Sequence, residues 1–256
     1  MANATLRKEF DPSANPLRKK PTVPRSAKII FLSLEGTVTE EDYFRDIVQK
    51  YFSSVKSKIK FISVQGEILD KDSNLRSDEE KSSLGKTQPY QLVEKITKYK
   101  ESHSSTFEWD IYKDDEFWAV MDVDDHKSVN KIDKWKETIR KCNENGYFYA
   151  VSNPFFEVWL LLHHDMINEE DKRYAVNDEH EYEKTEHFKH RLSALGVPLK
   201  DNKHIVDGHY NKGKIIKAVE RAREIHVDKD DLEPKYLSTT VYRLLEKVIE
   251  LETSGK

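Results

Sequence analysis

Lys28-Ile29-Ile30-Phe31-Leu32-Ser33-Leu34-Glu35-Gly36 runs an apolar stretch directly into a carboxylate and a glycine. A continuous rather than alternating apolar run predicts a strand buried on both faces, as in a parallel sheet. Thr39-Glu40-Glu41-Asp42 then opens a helix, with a hydroxyl in capping position and acids that suit the first turn. Its apolar face is Tyr43, Phe44, Ile47, Val48 and Tyr51, at helical spacing. Lys58 to Val64 alternates and predicts a second strand. Glu116 to Met121 predicts a third, with Asp122-Val123-Asp124-Asp125 at its end, and Gly146 to Val151 a fourth. Between and after them, helices are predicted over 89–100, 130–143 and 155–163. Alternating strands and helices give an α/β fold with a parallel sheet covered on both faces.

From Asp165 onward no strand is predicted, only helices near 179–195, 212–226 and 238–252. The expected organisation is a basic arm over 1–26, a catalytic α/β domain over 27–165 and a mostly α-helical C-terminal region over 166–256. Residues 67 to 87 are polar and predict a surface loop. The arm carries Arg7, Lys8, Arg18, Lys19, Lys20 and Arg25 with four interspersed prolines. It reads either as a solubilising tail or as an electrostatic arm for phosphate backbones.

With 37% hydrophobic and 35% charged residues, the 256-residue chain suits a globular protein with a wet surface. No apolar run approaches a membrane span, and no secretory signal is expected at the N-terminus. One cysteine, Cys142, excludes an intramolecular disulfide and a cysteine-rich zinc site, and points to a reducing compartment, the cytoplasm. The net charge of -4 excludes a generic nucleic-acid coat.

In open α/β sheets, ligands gather at the carboxyl ends of the strands. Glu35, Asp122 with Asp124, and Asn153 stand at such ends. On an extended segment Asp122 and Asp124 point the same way, and their charges repel unless a cation lies between them. Carboxylate oxygens of this kind suit Mg2+ or Mn2+. Glu35 completes the set as a metal ligand or a general base.

Several motifs in order then resemble one family. They are Glu35 to Phe44 (EGTVTEEDYF), Asp122 to His126 (DVDDH), Ser152 to His163 (SNPFFEVWLLLH), Tyr210-Asn211-Lys212, and Ser238 to Leu245 (STTVYRLL). The glutamate after a first strand and the Asp-x-Asp after a later one look like a Toprim domain, as in topoisomerases, primases and OLD-family nucleases. The whole set more closely resembles the RloB family, which includes the AbiL phage-resistance proteins. Val123 departs from the arginine expected in many relatives, which removes a phosphate-binding charge and keeps both carboxylates. The resemblance implies a prokaryotic anti-phage defence protein, a metal-dependent nuclease acting on DNA or RNA (tRNA included), and a partner ATPase. The alternative is a non-catalytic module that binds nucleic acid or regulates such an ATPase.

Other candidates have a structural and a functional reading each. Glu157 suits a helix start electrostatically, and its match to the family motif equally implies a role as a fourth metal ligand or in supporting the site. Ser152 and Asn153 cap a helix or contact a phosphate. His126 and Lys127 follow the aspartates and are placed to meet a phosphate. Tyr210, Lys212 and Lys214 precede or open a helix, where an anion would relieve the conflict between lysines and the dipole. His163 is expected to line a cleft and His164 to lie on the surface.

Overall fold

The computed structural model describes residues 28–62, 87–123, 131–176, 181–227, 233–234 and 237–254. The arm over 1–26, the loop predicted over 67 to 87, except Thr87, and the segment holding Asp124, His126 and Lys127 lie outside them.

The predicted apolar runs form strands β1 (Ile30–Leu34), β2 (Ile59–Phe61), β3 (Glu116–Asp122) and β4 (Phe148–Asn153). A fifth, β5 (Ser238–Thr239), completes a sheet of order β2-β1-β3-β4-β5. The first four pair in parallel, and β5 pairs antiparallel to β4. The fold is thus α/β, mostly parallel and flanked by helices, with a helical C-terminal region. β5 corrects the expectation that no strand follows Asp165. Two residues carry no periodicity, and Ser238 and Thr239, predicted as the start of a helix, are drawn into the sheet instead. Thr240 adds to this junction, exchanging bonds with Val151: the Thr240 N–H donates to the Val151 carbonyl at 2.8 Å and the Val151 N–H to Thr240 Oγ1 at 2.9 Å.

β1 follows the parallel-sheet logic closely. Its alternate side chains serve two cores: Ile30 and Leu32 on one face, Phe31 with Ile29 before it on the other. Helices α2 (Pro89–Ser102) and α4 (Ile132–Asn145) cover the second face with Leu92, Ile96, Tyr99, Trp135 and Ile139; α3 is the short Ser104–Phe107. Gly146 ends α4 at φ +66°, the left-handed stop that its position predicts.

The first face is covered by α1, a continuous helical run over 39–51 whose middle, Tyr43–Val48, is π-helical. Beside it lies α5 (Glu157–Leu162), buried on every side, which Leu-Leu-Leu and Trp159 permit. Then come α6 (Glu169–Val176), α7 (Glu181–Ala194), α8 (Lys212–Ile225) and α9 (Val241–Ser254). Phe188, Leu192, Ile215, Val219, Leu244 and Val248 from these later helices share one core with Ile30, Tyr43 and Trp159.

Candidate functional site

β1 has β2 on one side and β3 on the other, so consecutive crossovers leave β1 in opposite directions. That is the topological switch point at which open sheets place ligands. Leu34 pairs with Val120, which sets Glu35 and Asp122 side by side at the carboxyl ends. The Asp122 N–H donates to Glu35 Oε2 at 3.0 Å, and the Glu35 N–H donates to the Val120 carbonyl at 3.0 Å. Glu35 is buried and Asp122 partly so.

Two further carboxylates join them. Glu157, in the first turn of α5, is 9% exposed. Glu40, in the first turn of α1, is 6% exposed and folds back over the preceding loop, where the Gly36 N–H donates to its Oε1 at 3.0 Å. Gly36 makes this possible through lack of a side chain: a Cβ there would sit 1.7 Å from Glu40 Oε2.

The electrostatics record the crowding. Burial, then the charges of Glu157 and Glu35, push the Glu40 carboxyl from 4.5 up to about 7. Burial, then Glu40, Glu35 and Glu157, push Asp122 well above the usual aspartate range, opposed by a hydrogen bond from the Phe156 N–H. No cation is among the leading influences on either group. Acids at the opposite end of β3 behave differently. Glu116 pairs with Lys28 and accepts from Trp118 Nε1 at 2.9 Å, while Asp115 accepts from the Ile29 N–H at 2.8 Å. Sequence proximity to a strand is common to both groups, but only the carboxyl-end acids face one another.

All donors in this set are carboxylate oxygens, the chemistry that a hard divalent cation takes. Mutual repulsion at short range is the condition that such a cation relieves. Among the described residues, no three His, Cys, Asp or Glu side chains stand ready as a metal-ligand group. Each of Glu35, Glu40 and Asp122 gives an oxygen to a backbone N–H. Asp124, the remaining predicted ligand, lies outside the described residues, as do His126 and Lys127.

The structure brings Glu35, Asp122 and Glu157 together as the sequence suggests, and adds Glu40. By sequence alone, Glu40 is an acid that suits the first turn of a helix. The signal for its other role was Gly36, which leaves a gap for a carboxylate five residues from Glu35. Other candidates sit elsewhere. Asn153 Nδ2 donates to the Pro234 carbonyl at 2.8 Å, and Ser152 Oγ lies 3.1 Å from Thr239 Oγ1, so both bind the C-terminal segment. Neither caps α5, which has no side-chain cap. Tyr210 is buried against Tyr43, His163 and His164, Lys212 pairs with Glu252, and Lys214 Nζ donates to the His209 carbonyl at 2.7 Å.

His163 lines no cleft. Only 2% exposed, its Nδ1 lies 2.9 Å from the Trp159 carbonyl, and its Nε2 lies 3.0 Å from the Tyr43 hydroxyl. Burial pushes it down to about 3, so it is neutral at pH 7, with Nδ1–H donating and Nε2 accepting. His164, expected on the surface, is partly buried.

A family model described as RloB-like protein matches residues 30–248. The chain belongs to the RloB-like protein family. The match spans every strand from β1 to β5 and most of α9, so both the carboxylate cluster and the C-terminal helices are part of the RloB-like unit. Neither a comparison with curated proteins nor one with solved structures returns a match. No helix of this RloB-like chain, among the described residues, is long and apolar enough to cross a membrane.

Proposed function

We propose that this RloB-like protein is a divalent-metal-dependent nuclease acting in anti-phage defence, with Glu35, Glu40, Asp122 and Glu157 at its centre and Asp124, two residues after Asp122 in the sequence, as a further ligand. The observation that carries this reading is the gathering of carboxylates at the switch point of a parallel sheet, where their charges raise Glu40 and Asp122. Membership of the RloB-like family is compatible with a defence role.

Glu35, Asp122, Asp124 and Glu157 would hold Mg2+ or Mn2+. A bound divalent ion supplies Lewis acidity and neutralises charge on a phosphoryl oxygen. The chain's own groups do the positioning. The Asp122 N–H fixes Glu35, the Phe156 N–H fixes Asp122, and the Gly36 N–H fixes Glu40. Glu40, poised near 7, is suited to hold or release a proton at neutral pH, as a general acid or base requires.

A second reading has one observation in its favour: the described residues alone form no ready metal group. On that reading the protein keeps the fold and serves as a nucleic-acid-binding or regulatory module of a partner ATPase. Incubating purified protein with DNA, total RNA and tRNA, with manganese or with EDTA, separates the two. The nuclease reading expects cleavage of at least one substrate with manganese, abolished by EDTA and by Asp122→Asn. Cleavage by a folded Asp122→Asn protein at the wild-type rate would remove the site assignment.

A further inference from the structure

We propose that the cluster of His164, His209, Lys214 and Arg221, beside the C-terminal end of α5 and along α8, binds a phosphate group. This site is separate from the carboxylates and does not depend on cleavage there.

The geometry brings these residues to one place. Lys214 Nζ donates to the His209 carbonyl at 2.7 Å, and Arg221 Nη1 donates to the Leu162 carbonyl at 2.8 Å, two residues before His164. The Tyr210 ring lies 5.1 Å from that of His164 and follows His209 in the chain. All four residues are partly buried, neither in the core nor fully exposed.

Among the described residues, neither Lys214 nor Arg221 is paired with an acid. Nearby acids are matched to other cations: Asp165 to Arg191, Asp207 to Lys50 and Glu252 to Lys212. Lys214 and Arg221 bond instead to main-chain carbonyls, which orient a cation without neutralising it. After burial, the leading influences on His164 are Lys214, His209 and Arg221, all of which disfavour its charged form and hold it at about 4. Its Nε2 is buried without a hydrogen-bond partner among the described residues. Converging cations of this kind, on a chain of net charge -4, call for a small anion with several acceptor oxygens. Phosphate fits, on its own or within a polynucleotide.

Calorimetric titration of the full chain with inorganic phosphate, and with a short single-stranded oligonucleotide, tests the site. We expect phosphate binding that weakens about tenfold in both Lys214→Gln and Arg221→Gln, in line with loss of a charged hydrogen bond. Lys217→Gln, an exposed change on the same helix, and Asp122→Asn leave it unchanged. Bound phosphate also raises the His164 imidazole above about 4 in the folded wild-type chain, read by NMR. An oligonucleotide that competes with phosphate identifies a backbone site; one that does not identifies a small phosphate ester. Absence of phosphate binding by the wild-type chain, or wild-type affinity in folded Lys214→Gln and Arg221→Gln, would overturn the proposal.

Discussion

Glu40 carries the sharpest consequences of the carboxylate cluster. Its carboxyl titrates at about 7 in the folded chain against 4.5 ordinarily, so folding favours the protonated form. The stability this contributes is fully present below about 4.5 and is lost as pH rises through about 7. Asp122 shifts in the same direction. His163 works oppositely: held down at about 3, it contributes stability that is present above 6.5 and lost as pH falls toward 3. Glu40→Gln isolates the first effect. It should leave the metal-free protein more stable than wild type by about 1–3 kcal/mol above pH 7, from the one-unit equivalence of 1.36 kcal/mol. The gain should vanish in acid, as read by thermal melting across pH. A gain independent of pH would point to packing rather than to charge. Of these residues, Glu35 and Asp122 were legible because an acid at the end of an apolar run is visible as such. Glu40 was not, because a glutamate in a helix's first turn already has a sufficient local explanation.

At the scale of elements, the loop from β1 into α1 is where local sequence and chemistry meet. Gly36→Ala should cost little stability, within about 1 kcal/mol, because the far end of a flexible side chain can move aside. It should nonetheless cut metal-dependent activity by tenfold or more, on the order seen when a catalytic group is misplaced by about 1 Å. Melting and cleavage assays on one preparation check both halves. Equal activity in wild type and Gly36→Ala would show that the seat of Glu40 is irrelevant to function. The π-helical turn over Tyr43–Val48 follows this loop, in the kind of position where such turns accompany functional sites. Helical spacing predicted a helix there and said nothing of its pitch, since one extra residue per turn leaves the same side chains apolar. The strands β1 to β4 were readable from their runs because each holds an uninterrupted or alternating apolar segment. β5 was not, because its two residues join the sheet through partners on β4 far away in sequence.

At the scale of the molecule, one core spans the chain from Ile30 to Val248. Trp159 on α5 lies fully buried within it, touching Tyr43 and His163. Trp159→Ala should therefore destabilise by about 3–5 kcal/mol, the range for removing a buried aromatic ring. Calorimetry should show a single unfolding transition moving down as a whole. Two transitions, only one of them displaced, would mean that the C-terminal helices fold apart from the sheet.

The central claim is that the carboxylates at the switch point hold a divalent cation. Titrating the metal-free protein with Mn2+ by calorimetry addresses it most directly, using wild type, Asp122→Asn and Glu40→Gln. We expect saturable binding by wild type, protons released as Glu40 and Asp122 ionise, and a loss of at least about tenfold in affinity in Asp122→Asn. No binding by the folded wild-type chain, or equal binding by Asp122→Asn, would contradict it.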